Sequence, residues 1–116
     1  MNNAFSDGKT INIVGPATAG VPVIVGTVLA IPVNTLASGE AGAAWIEGAY
    51  VLPKLSTAVI AQGAKVIWDA SAGEVIVAAA ATGDLNGAGV AMQAAGNGTT
   101  SVAVKLTPGA GALQGG

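Results

Sequence analysis

The sequence predicts a small all-β domain, an antiparallel β-sandwich or barrel-like fold with at most one short helix and extended terminal arms. The large apolar residues are mostly β-branched, 14 Val and 8 Ile against 7 Leu, and such side chains fit the pleated surface of a sheet. Turn signals rich in Gly, Pro, Asn and Asp recur at the spacing of about 8–12 residues that is typical of sandwiches and barrels. The length of 116 residues fits one domain.

The first strands follow from alternation of apolar and polar residues. Residues 9–14 place Ile11 and Ile13 on one face and polar residues on the other, which is typical of a half-buried antiparallel strand. Residues 21–33 are the most apolar stretch, but Pro and Gly interrupt it and it is too short to span a bilayer. We therefore expect two short strands there.

Later elements are predicted in the same way. Residues 56–61 are the one candidate helix, with Ser56 as N-cap and Gly63 as the stop. Residues 65–68 and 74–78 predict a β-hairpin around a five-residue loop. In the last strand, residues 102–106, Val102, Val104 and Leu106 alternate with polar or small residues, so these three should face the core.

These elements divide the chain into three parts. Residues 1–8 form an N-terminal arm, residues 9–106 a β-domain and residues 107–116 a Gly-rich C-terminal tail. Neither end shows a strand pattern, and Gly-rich ends rarely hold a regular structure by themselves.

Composition argues against most chemistry. The chain has no Cys, no His and no Arg, and it carries only four Lys against six Asp or Glu. We therefore predict no enzymatic activity, no metal, no cofactor, no nucleic-acid partner and no membrane association. A protein with so few charges should associate, so we expect part of its surface to be covered by another chain. No secretory signal is visible, which predicts a soluble protein made in a cytoplasm.

Two local motifs invite a functional reading. Gly8-Lys9-Thr10 resembles the end of a phosphate-binding loop, but position 3 is Asn where the motif requires Gly, so a turn entering the first strand is the better interpretation. Asn97-Gly98-Thr99 fits a glycosylation signal, yet a tight turn explains it more simply.

A few side chains also stand out. Glu47 lies in a strand-like run, so we expect it to be buried and paired, whereas most of the other acids sit beside turn glycines. Trp45, Tyr50 and Trp68 should be major core residues in a chain so rich in Ala. Phe5 lies in the arm, where it either folds back on its own core or anchors the arm in a partner's pocket.

Several segments together resemble a known family. They are residues 3–8 (NAFSDG), 20–26 (GVPVIVG), 47–54 (EGAYVLPK), 62–69 (QGAKVIWD), 89–96 (GVAMQAAG) and 102–106 (VAVKL). In this order they are similar to the capsid cement, or head decoration, proteins of tailed phages, some of which carry an old RecA/RadA-like recombinase label. The resemblance implies a small β-rich homotrimer on the outer face of the virion. There it would bind the major capsid protein where subunits meet, and it would catalyse nothing.

The arm is the predicted capsid contact, with Phe5 as its anchor. The predicted capsid-binding residues are Met1, Asn2, Asn3, Ala4, Phe5, Ser6 and Asp7. Two other functions remain open at this point. The same composition would suit a self-assembling virion surface or fibre module, or a small carbohydrate-binding β-domain.

Overall fold

A computed structural model of the chain describes residues 8–115, which contain ten strands in two antiparallel sheets and no helix. This confirms the predicted all-β antiparallel class. The strands are β1 (Thr10–Val14), β2 (Val23–Val25), β3 (Val28–Pro32), β4 (Ala41–Trp45), β5 (Ala49–Pro53), β6 (Lys65–Asp69), β7 (Glu74–Ile76), β8 (Leu85–Ala91), β9 (Ser101–Leu106) and β10 (Ala112–Leu113). Residues 56–61 form a turn followed by an isolated bridge from Ile60 to Ala95 rather than a helical turn.

The smaller sheet has four strands in the order β1-β4-β3-β2. Residues 21–33 supply the β2–β3 hairpin, as predicted, because Gly26 at φ 60° allows the tight turn between them. The two edge strands, β1 and β2, border a common groove of about 350 Å³. Three consecutive residues of each strand line the groove, so it lies between the edges of β1 and β2. Because these strands are at opposite ends of the sheet order, the smaller sheet is curled.

The larger sheet has the order β5-β9-β8-β6-β7, with β10 also paired to β8. The predicted hairpin is present as β6 and β7, where Asp69 lies opposite Glu74. Strand β8 is irregular, because its pairing with β6 shifts register between Val66 and Trp68 and Gly87 adopts φ 66°. Such a bulge bends the strand locally and re-aims the side chains beside it.

The Gly-rich tail contributes a strand that the sequence pattern does not indicate. Ala112 and Leu113 pair with Asn86 and Leu85, on the same side of β8 as β9. The tail therefore continues the line of β9 after a loop over residues 107–111. Because that loop passes close to Gly87, a side chain there would lie 3.2 Å from the Cα of Gly111.

One core joins the two sheets. Leu29 and Ile31 of the smaller sheet pack with residues of β5, β6, β8 and β9, among them the buried Trp68. Tyr50 is half-buried against this core, but the prediction for Trp45 is wrong, because its side chain is 40% exposed. Trp45 is the last residue of β4.

Candidate binding surfaces

The predicted capsid-binding residues lie outside the described part of the chain. These are Met1, Asn2, Asn3, Ala4, Phe5, Ser6 and Asp7. The description begins at Gly8, whose φ of 75° suits a turn, and Thr10 then opens β1. Because Thr10 begins a strand, the segment 8–10 has no helix N-terminus of the kind that a phosphate-binding loop requires.

Two carboxylates near the surface accept hydrogen bonds from their own turns. Asp69 accepts hydrogen bonds at one oxygen from the backbone N–H groups of Ser71 and Ala72 and from the Ser71 hydroxyl. Glu40 accepts one from the N–H of Ala37. The expectation that Glu47 is buried is wrong: its side chain is exposed, because it follows β4 in the short link to β5. Among residues 8–115, no three potential ligands cluster in a way that could hold a metal ion.

Lys54 is buried, which sequence reasoning did not predict. Its Nζ donates to the backbone carbonyls of Leu55 (2.7 Å), Ser56 (3.5 Å) and Ala58. A buried ammonium is tolerated only where its donors are satisfied. Here the curl of residues 55–58 around the side chain supplies the acceptors, so Lys54 fixes a loop rather than forming a reactive site.

Asp84 is the second buried charge that sequence reasoning missed. One carboxylate oxygen accepts from the N–H of Ala70 (3.1 Å) and the other from the N–H of Ala81 (2.9 Å). Its backbone carbonyl also accepts from the N–H of Gln114 (2.8 Å). Asp84 thus joins the β6–β7 turn, the loop before β8 and the C-terminal tail. A Gly83-Asp84 turn gives no sequence signal of such a role, because solvated acids are ordinary beside glycines.

The outer face of the larger sheet carries an apolar row. Val51 of β5 lies opposite Ala103 of β9, whose carbonyl accepts from the N–H of Met92, directly after β8. Val51 is 72% exposed and Met92 44% exposed. The outward direction of Ala103 was predictable from the alternation in residues 101–106, whereas its neighbours depend on strand pairing.

A second row on this face is basic. Lys65 of β6 and Lys105 of β9 lie on either side of Val90 of β8 in register. Beside them is a groove of about 190 Å³, lined by Gly63, Lys65, Gly87, Gly89, Val90, Thr107 and Ala110. We call the surface formed by Val51, Ala103, Met92, Lys65, Val90 and Lys105 the β-face.

Tyr50 marks the boundary of the core. Partial burial raises the pKa of its phenol above the usual value, because desolvation disfavours the phenolate. Its hydroxyl donates to the carbonyl of Glu47 (2.8 Å).

In the range that the structure describes, no helix is both long and apolar enough to cross a membrane.

Comparison with known proteins identifies the family. A family model described as phage cement protein matches residues 5–106, which is most of the chain. No curated protein and no solved structure matches the sequence. The matched range includes all of the strands β1 to β9, with the two buried charges and the whole β-face. The chain therefore belongs to the phage cement protein family.

Proposed function

We propose that this protein binds the outer surface of a phage head and stabilises the shell at the junctions between capsid subunits. The observation that carries the proposal is the family match over residues 5–106, which gives the chain a structural, capsid-associated role. The exposed valines and the small number of charges agree with a surface that a partner covers.

The stabilisation follows from mass action. A ligand that binds only the assembled shell lowers its free energy by RT ln(1 + [L]/Kd) at each site. If one oligomer contacts several capsid subunits, the later contacts form at high effective concentration. Modest individual contacts then give a stable decorated particle, and no chemical step is needed.

Self-association is part of the proposal. We expect a homotrimer, since the low charge favours association and the resemblance to the cement proteins implies three copies. Sedimentation equilibrium of the purified protein should give three times the monomer mass of 11.0 kDa. A mass that stays monomeric across the concentration range would contradict this for the protein in solution.

The N-terminal residues Met1–Asp7 are the proposed principal capsid contact, with Phe5 as anchor. Burying a Phe side chain contributes about 1.5–3 kcal/mol, and several arms in one oligomer multiply that effect. Deleting residues 2–7 should leave the fold intact, because β1 begins only at Thr10. Head binding should weaken at least about tenfold, a loss of 1.4 kcal/mol. Equal binding by the truncated protein would show that the arm is not the anchor.

The function itself is tested by mixing the purified protein with heads that lack it. A cement protein binds saturably and raises the temperature at which heads lose their DNA. A self-assembling fibre module would polymerise and leave the heads bare. A carbohydrate-binding domain would leave the heads bare as well, but would bind immobilised glycans. Either of these results would overturn the proposal.

A further inference from the structure

The β-face differs from the usual outer surface of an antiparallel sheet. Along each strand of such a sheet, outward-facing residues are normally polar and alternate with the apolar residues of the buried face. Here Val51 of β5, Ala103 of β9 and Met92, directly after β8, form an apolar row, and Val51 is 72% exposed. Contiguous exposed apolar surface of this kind marks an interaction site more often than a solvent face.

The lysines give the face its charge. Two strand spacings separate Lys65 from Lys105, so their Cα atoms lie roughly 10 Å apart with Val90 between them. Both side chains are exposed, in contrast to the buried Lys54. A carboxylate placed over Val90 would be within reach of both flexible side chains. A groove of about 190 Å³, lined in part by Gly87 and Gly89, lies beside them.

The same charges argue against a two-fold contact between the β-faces of two copies. A two-fold contact sets a surface against itself, which would bring Lys65 and Lys105 towards the same two lysines of the other molecule. Like charges brought together in an interface are unfavourable. The chemistry therefore favours a partner that presents carboxylates beside apolar side chains.

We propose that the β-face docks an acidic segment of the capsid surface, with apolar side chains against Val51 and Met92 and carboxylates between Lys65 and Lys105. This inference rests on the proposed function and adds a contact that does not involve the N-terminal arm. Interfaces combine these elements in the same way, with a buried apolar centre and charges that set partner and orientation.

The charge is tested with Lys65→Glu and Lys105→Glu on heads that lack the protein. A matched control is the double variant Thr27→Glu/Ser38→Glu, which lowers the net charge by the same two units at exposed turns of the smaller sheet. Each lysine variant should bind at least about tenfold more weakly than the control. Lys105→Arg should bind as the wild type does. Wild-type affinity should fall with added salt, and this dependence should be shallower for Lys105→Gln.

The apolar row is tested with Val51→Ser against Val14→Ser. Val14 is 66% exposed on β1, an edge strand of the other sheet, so the two substitutions are alike in chemistry and exposure. Only Val51→Ser should weaken head binding. Circular dichroism should show that all variants keep the wild-type fold, since every changed side chain is exposed.

The outcomes separate the two proposals. If the wild-type protein does not bind heads, the proposed function fails. If the wild type binds and the lysine variants bind equally well, the cement function stands and the β-face inference is wrong. If Lys105→Glu instead dissociates the oligomer in sedimentation, the face is an interface between copies, which also overturns the inference.

Discussion

Removing the carboxylate of Asp84 should destabilise the fold far more than removing that of Asp69. Asp84 is 2% exposed and holds the N–H groups of Ala70 and Ala81. In Asp84→Ala both donors lose their partner in a place that water does not reach easily. In Asp69→Ala three donors lose theirs, but these bonds lie at the surface and water replaces the carboxylate.

The magnitude follows from these contacts. Hydrogen bonds to a charged acceptor contribute about 1.5–3 kcal/mol each, so two give about 3–6 kcal/mol. The alanine variant no longer pays the desolvation penalty of a buried carboxylate, which offsets part of this loss. The free energy of unfolding should therefore fall by about 2–4 kcal/mol. That is a large part of the roughly 5–15 kcal/mol by which a domain is stable. Asp69→Ala should cost about 1 kcal/mol or less, although it removes more hydrogen bonds.

Urea unfolding followed by tryptophan fluorescence measures both variants. Trp68 is buried and lies opposite Leu85, the residue after Asp84, so it reports on the region concerned. Asp84→Asn keeps one acceptor oxygen and should fall between wild type and Asp84→Ala. The reasoning is refuted if Asp84→Ala is no less stable than Asp69→Ala, at equal m-values.

Two further predictions concern β8 and Tyr50. Gly89→Ala should destabilise the protein by about 1–3 kcal/mol, because its Cβ would lie 2.5 Å from the carbonyl oxygen of Lys105, whereas Gly96→Ala, with nothing within 4 Å, should be almost neutral in the same urea assay. Equal midpoints for the two would contradict the close approach of β8 and β9. Tyr50 is the only tyrosine, and burial raises its pKa, so the phenolate absorbance of the folded protein should titrate with a midpoint above the ordinary value of about 10. Since the folded pKa lies above the unfolded one, the contribution of Tyr50 to stability should be constant below pH ~10 and be lost as the pH rises through the folded pKa. A midpoint at the ordinary value would contradict this.

The parts of the fold that the sequence predicts are those set by local pattern. The alternation in residues 101–106 places Val102, Val104 and Leu106 in the core, as observed, because neighbouring side chains of a strand point to opposite faces. The β2–β3 and β6–β7 hairpins follow from apolar runs broken by turn residues. In each case the information lies within a dozen residues.

The buried charges escape such reasoning because their partners are not set by a local pattern. Asp84 is satisfied by the N–H of Ala70, which lies 14 residues away, and any residue type can supply a backbone N–H. Lys54 is bonded by nearby carbonyls, but only the curl of residues 55–58 aims them at Nζ. The two residues that looked structurally decisive, Trp45 and Glu47, lie instead at the end of β4 and in the link that follows it, and both are exposed.

The β-face shows what amino-acid composition can and cannot predict about a binding surface. The scarcity of charge indicates that some surface is covered, but it gives no position, because the residues of the face come from four separate segments of the chain. Strand pairing brings Val51, Ala103 and Met92 into one row although 52 residues separate the first two along the chain. Pairing also sets two of the four lysines around Val90. Two exposed lysines therefore lie beside exposed apolar side chains on one face, and this coincidence favours a docking face over a solvated one.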